Sequence, residues 1–280
     1  MGKLTGKVAF VTGAARGQGR SLAVRLAEEG ADIIAIDMCQ TIPTSPFPLA
    51  TPADLEQTVK LVESLDRRIV ARHADVRDSA QLESVVAEGL AELGSIDIVC
   101  ANAGVISFGN AWDLTDDQWQ DLIDTNLTGV WRSAKAAIPA MIAGNRGGSI
   151  VLTSSIYGLT GSATLSHYTA AKHGVVGLMK SLALELAPHR IRVNTVNPTF
   201  VNTDMVHNDA VYRQFFPDHP NPNRNDFETA ATSLNALPTP WVESVDIANA
   251  ALWLASDDAR FVTGISIPVD AGFLIKHNVG

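Results

Sequence analysis

Ser155, Tyr168 and Lys172 are the residues in this chain whose types and spacing could move a proton on and off a carbinol oxygen. Tyr168 and Lys172 stand four apart on a helical stretch, so they project from one face. A free phenol, with a pKa of about 10, is a poor base at neutral pH. An ammonium one turn away favours the phenolate and brings it toward working range. Ser155, thirteen residues before Tyr168 at the end of an apolar run, can donate a hydrogen bond that steadies the substrate oxygen. A lone Tyr-x-x-x-Lys usually marks a solvated helix face, so its meaning depends on the rest of the chain.

A second chemical signal lies near the N-terminus. Val8-Ala9-Phe10-Val11 is followed by Thr12-Gly13-Ala14-Ala15-Arg16-Gly17-Gln18-Gly19 and then by a helical pattern. The glycine spacing, Gly-x-x-x-Gly-x-Gly, permits a tight turn and close approach of a pyrophosphate to a helix N-terminus. Asp37 closes the second apolar run, 18 residues beyond Gly19, and Met38 follows it. A carboxylate there can accept bonds from both adenine-ribose hydroxyls and repels a 2′-phosphate, which favours NAD over NADP. Arg16 argues the other way, since an arginine can pair with that phosphate. Asp75-Val76 and Asn102-Ala103-Gly104 follow the third and fourth runs. They are either contacts to adenine and its ribose or ordinary turn and cap residues. A phosphate cradle with a phenol beside an ammonium points to hydride transfer at a nicotinamide cofactor.

The elements that must position these groups alternate along the chain. Candidate strands are Val8–Val11, Ile33–Ile36, Ile69–Arg72, Ile96–Cys100, Ser149–Thr153, Ile191–Val196 and Ile265–Val269. Their unbroken hydrophobicity predicts strands covered on both faces. Helix-period stretches lie between them; Leu82, Val85, Val86 and Leu90 form one face, with Asp78 and Gln81 as a capping pair. The pattern predicts an α/β fold, a doubly wound parallel sheet of about seven strands, in one domain over 1–280. Two segments interrupt it: the Pro- and Thr-rich stretch 38–52, and 203–240, with its Pro, Asn, His and scattered aromatics. Both follow strand carboxyl ends, the ligand-binding edge of open α/β sheets. The first is expected to be a cofactor lid and the second an irregular substrate lid that, with Ile106, Phe108, Leu159, Val201, Met205 and Trp241, encloses an apolar cavity.

Composition narrows the partners. A formal net charge of −9 argues against nucleic acid or an anionic membrane. No apolar run reaches membrane-helix length, and no signal peptide is evident. Cys39 and Cys100 offer no disulfide framework, which fits a cytoplasmic protein. His167 faces away from the tyrosine and is not expected to be catalytic. His207 and His219 lack ligand spacing, and no metal is assigned.

Together, the Thr12–Gly19 loop, Asp75, Asn102-Ala103-Gly104, Asn126, Ser155, Tyr168, Lys172 and Asn197-Pro198 resemble the short-chain dehydrogenase/reductase family along essentially the whole chain. The resemblance implies that Tyr168 is the general base, that Lys172 also binds the nicotinamide ribose, and that Ser155 orients the substrate. It implies that Asn126 sits in a helix and holds a water linking Lys172 to solvent. It implies too that Pro198, Val201 and Thr203 belong to a loop beside the nicotinamide, with Thr203 bonding its carboxamide. The family usually has glycine after that proline; here it is Thr199. Gly13–Ser21, Ile36–Cys39 with the insertion after it, and Asn197–Thr203 look like the mycofactocin-associated carveol dehydrogenase subgroup. That implies tightly held NAD, a small-molecule alcohol or ketone substrate, an external redox acceptor and a homotetramer. An oxoacyl-thioester or steroid-type ketoreductase of the same fold remains open, as does an NAD-sensing scaffold without chemistry.

Overall fold

The structure is a computed structural model that describes residues 2–277. Seven strands form a single parallel sheet: β1 (Val8–Thr12), β2 (Asp32–Asp37), β3 (Ile69–His73), β4 (Ile98–Ala101), β5 (Gly148–Thr153), β6 (Ile191–Pro198) and β7 (Ser266–Val269). Their order is β3-β2-β1-β4-β5-β6-β7. Alternate side chains of one strand feed two cores. Phe10, Ile34, Ile36 and Val99 pack on one face under α3 (Ser79–Leu93), α5 (Gly129–Gly144) and α6 (Ser166–Leu186). Ala9, Val11, Ile33 and Ile98 pack on the other under α1 (Gly17–Glu28), α2 (Pro52–Glu63) and α9 (Ser244–Ala255). Burial on both faces explains why the strands lack polar alternation.

The order reverses between β1 and β4, so the loops after these strands diverge and leave a crevice at the carboxyl edge. One hydroxyl fixes the two lips of that crevice. Thr12 Oγ1, at the end of β1, accepts hydrogen bonds from the backbone N–H groups of Asn102 and Ala103, both at 3.0 Å. Asn102 Nδ2 returns a bond to the Thr12 carbonyl at 3.2 Å. The α3 cap forms on Asp78, whose Oδ1 accepts from Ala80 N and Gln81 N. The Gln81 side-chain Oε1 accepts from Asp75 N rather than from the Asp78 backbone, which tethers the loop after β3.

The stretch 38–52 has no regular structure before α2, as expected. The stretch 203–240 differs from expectation: it contains α7 (Asp209–Phe215) and α8 (Arg224–Leu234). Asn208 caps the first helix, and Asn223 with Asp226 forms a capping box on the second. The asparagines that read as loop formers are N-caps here. These helices close on a small aromatic core in which Phe227 lies 4.9 Å from Phe215 and 5.4 Å from Phe200. The chain ends in α9, β7 and the short α10 (Phe273–His277). Among the described residues no helix is long and apolar enough to cross a membrane.

Thr12→Val leaves two backbone donors unpaired at the crevice, at a cost of about 1–3 kcal/mol each. Denaturant unfolding should show a loss of about 2–4 kcal/mol, and Thr12→Ser should recover more than half of it.

Candidate active site

The crevice between the β1 and β4 loops is a cleft of about 380 Å³. Its walls bring together Gly13, Arg16, Gly17, Gln18, Gly19, Asp37, Met38, Asp75, Val76, Asn102, Ala103, Gly104 and Thr203. The glycines are required by space. Gly13 has φ +66°, and a Cβ there would lie 2.8 Å from Ala103 Cα. A Cβ on Gly19 would lie 1.9 Å from the Gly13 carbonyl oxygen. Asp37 is aimed by backbone donors: Oδ2 accepts from Ala15 N at 3.2 Å and Oδ1 from Cys39 N at 3.1 Å. An adenosine ribose in this cleft would meet a carboxylate, and the pyrophosphate of a dinucleotide would meet the N-terminus of α1. The residues present fit NAD.

Two cleft residues have partners that sequence did not reveal. Asp75 Oδ2 is bound by Arg77 Nη2 at 2.8 Å, and Arg77 also reaches Asp121. Arg16, weighed above as a partner for a 2′-phosphate, is occupied elsewhere: Nη1 meets Asp204 Oδ2 at 2.8 Å and Nη2 donates to the Pro48 carbonyl at 2.5 Å. Asp204, Ile42, Phe47, Leu49 and Ala50 also line the cleft. Apolar residues scattered in a proline-rich stretch gave no periodic signal.

A second cavity, of about 290 Å³, adjoins the first, and Gln18, Asn102, Gly104, Thr203 and Met205 line both. It gathers Ser155, Tyr168, Lys172, Asn126, Pro198 and Val201. Ser155 follows β5 and caps a short 3₁₀ turn, so its Oγ accepts from Tyr157 N at 3.2 Å. That leaves its own proton to donate toward the Tyr168 oxygen. Asn197 Nδ2 donates to the Ser155 carbonyl at 2.9 Å, which holds the backbone as well. Tyr168 and Lys172 share a face of α6, with the ammonium 5.5 Å from the phenol ring centre. Lys172 is 3% exposed and donates from Nζ to the Thr153 carbonyl at 2.9 Å.

Burial sets the electrostatics. It pushes the Tyr168 phenol up to about 12, against a lowering contribution from its hydrogen bond with Ser155. It also pulls the Lys172 ammonium down to about 8. The sequence leads one to expect the ammonium to lower the phenol; desolvation is instead the largest influence on it, and its direction is upward.

Asn126 lies in a single π-helical turn, Asp124–Thr128, between α4 (Asp116–Ile123) and α5. Its Oδ1 accepts from Val105 N and its Nδ2 donates to the Val105 carbonyl, both at 2.8 Å. The side chain braces the loop after β4, so both of its polar atoms are already engaged. Thr199 lines the second cavity, and its buried Oγ1 lacks a partner in the protein.

Among the expected cavity residues, Ile106, Phe108, Val201 and Met205 line the wall. Leu159 and Trp241 do not. Leu159 is 39% exposed beyond the 3₁₀ turn, and Trp241 packs edge-on against His207 at 4.5 Å beside the small aromatic core of 203–240. Tyr157, Thr164, Phe200 and Gln214 also line the wall, and nothing in their spacing marks them. His167 is fully buried and bonds Ser107 at 2.8 Å. Among the described residues no cluster of side chains could hold a metal.

The family model described as short chain dehydrogenase matches residues 7–211. The chain belongs to the short-chain dehydrogenase family. Within this dehydrogenase family it is 57% identical, over 99% of its length and 100% of the relative's, to (−)-trans-carveol dehydrogenase of Rhodococcus erythropolis. It is similar to the crystal structure of carveol dehydrogenase from Mycobacterium avium in complex with NAD, with 55% identity, a TM-score of 0.97, and coverage of 98% and 100% of the two chains. A short chain dehydrogenase from Mycobacterium paratuberculosis bound to NAD matches with 46% identity, a TM-score of 0.89, and coverage of 97% and 99%.

A base at Tyr168 would act as the phenolate, so a phenol held high should make kcat/KM for alcohol oxidation rise with pH through and above neutrality. Lys172→Met removes the charge that favours the phenolate and should move that rise to higher pH. A pH profile measured on enzyme with confirmed cofactor content checks this; coincident profiles would exclude the ammonium from the role.

Proposed function

We propose that this dehydrogenase transfers hydride between hydrophobic secondary alcohols, carveol-like cyclic alcohols among them, and NAD. One observation carries the reading: Ser155, Tyr168 and Lys172 meet in a mostly apolar cavity that opens into the dinucleotide cleft through shared walls. Gly13, Gly17, Gln18 and Gly19 hold the pyrophosphate, Asp37 with Met38 the adenosine ribose, and Asp75 with Val76 the adenine. Asn102, Ala103 and Gly104 line the path, and Pro198, Val201 and Thr203 lie beside the nicotinamide. When bound, NAD supplies the hydride acceptor. Ser155 steadies the carbinol oxygen, Tyr168 takes its proton, and Lys172 favours the phenolate. Asn126, braced against Val105, holds the loop after β4 beside Lys172.

The Asp37 carboxylate favours NAD over NADP and weighs against a biosynthetic reductase. Exposed apolar side chains on α6 and near the C-terminus, Leu184 at 79% and Phe261 at 88%, support a homotetramer joined through those surfaces. Both cysteines are free and buried, in keeping with the cytoplasm. We read 38–52 as a lid over the adenosine half. Thr44 Oγ1 donates to Asp121 at 2.8 Å, Arg16 holds Pro48, and Ile42 and Phe47 are buried beneath. A lid that slows exchange calls for an external acceptor to reoxidise the cofactor in place.

A panel of cyclic and acyclic alcohols, assayed with an artificial acceptor and with free NAD, should show turnover of apolar secondary alcohols. Tyr168→Phe should abolish turnover while keeping NAD binding; undiminished turnover would sink the mechanism. Extensively desalted protein should still release NAD on denaturation. An empty supernatant, with activity restored by micromolar NAD, would remove the lid.

A further inference from the structure

Arg16 occupies an unusual place. It is the N-cap residue of α1, inside the glycine loop, yet its guanidinium turns away from the helix N-terminus toward two other segments. Nη1 pairs with Asp204, at the start of the substrate lid, and Nη2 holds the carbonyl of Pro48, in the cofactor lid. Among the described residues no other cation pairs with Asp204. The residues on either side of it, Thr203 and Met205, line both cavities. A ligand packed against Met205 therefore bears on the segment that Arg16 clasps.

We propose that Arg16 is a positioning residue that joins the two lids, so that a ligand in the substrate cavity slows the departure of the dinucleotide. The proposal rests on reading 38–52 as a cofactor lid. Its physics is that of a planar donor fork. One guanidinium can satisfy a carboxylate and a carbonyl in different directions, which a lysine ammonium on a flexible stem does poorly. With its ligand in place, the substrate lid holds Asp204, Asp204 holds Arg16, and Arg16 holds Pro48 over the adenosine. With the cavity empty, the Asp204 end of the clasp is free to open. The Asp204 side chain is 67% exposed, so the effect is modest and weakens with salt.

The test is exchange of bound NAD for isotopically labelled NAD, followed by native mass spectrometry. It is run with and without the ketone of whichever alcohol turns over, since a ketone with oxidised NAD cannot react. In the unmodified enzyme the ketone should slow exchange by about two- to tenfold. Arg16→Ala should exchange faster and lose the ketone effect. Asp204→Asn should lose the ketone effect while its basal exchange stays nearer the original, because the Pro48 contact survives. Arg16→Lys should restore part of the basal rate and little of the coupling. Unchanged melting temperatures in these variants separate the clasp from a merely structural role. No ketone effect in the unmodified enzyme, or an undiminished one in Arg16→Ala, overturns the proposal. A variant with 44–50 replaced by a short Gly-Ser link tells the two readings apart. Unchanged exchange there sinks the lid itself; faster exchange there, with the ketone effect intact in Arg16→Ala, sinks only the coupling.

Discussion

The whole arrangement depends on the parting of two neighbouring parallel strands at one edge of the sheet. β1 and β4 lie side by side, yet the chain leaves them toward opposite flanks. Backbone donors at such a fork have no strand partner, and Thr12 supplies one for two of them. The glycine loop and the Asn102-Ala103-Gly104 turn are thereby held at a fixed separation. The cradle on one side and the proton-handling groups on the other inherit their spacing from that hydroxyl and from the sheet register behind it.

Most of this architecture could be read from residue types, because the signals are local and physical. Strands buried on both faces announce themselves by unbroken β-branched runs, and the seven predicted runs coincide with the seven strands to within two residues at their starts and ends. The glycine loop was legible because sterics leave few alternatives at Gly13 and Gly19. Ser155, Tyr168 and Lys172 were legible because a helical turn and a strand end fix them in known directions. What escaped were interactions across long sequence separations. Nothing about Arg16 indicates that residues 32 and 188 positions away will claim it. The helices within 203–240 were hidden for another reason. Asparagine is both a turn former and the favoured N-cap, and only tertiary context chooses between them.

The two segments that interrupt the strand–helix rhythm are built differently. The first is irregular chain with a turn and bends, held down by buried apolar side chains and a few polar tethers, with little backbone pairing of its own. The second has helices, caps and a set of interlocked aromatic rings centred on Phe227. Local opening costs less where few backbone pairs are broken, so the two segments differ in what holds them closed.

Burial of the phenol has a consequence for fidelity. A phenol that desolvation pushes up holds its proton tightly near neutral pH. A cationic ring beside it, together with the nearby ammonium, would favour the deprotonated form. Readiness to accept a proton and readiness to accept a hydride would then be conferred by the same molecule, so that neither half of the oxidation begins alone.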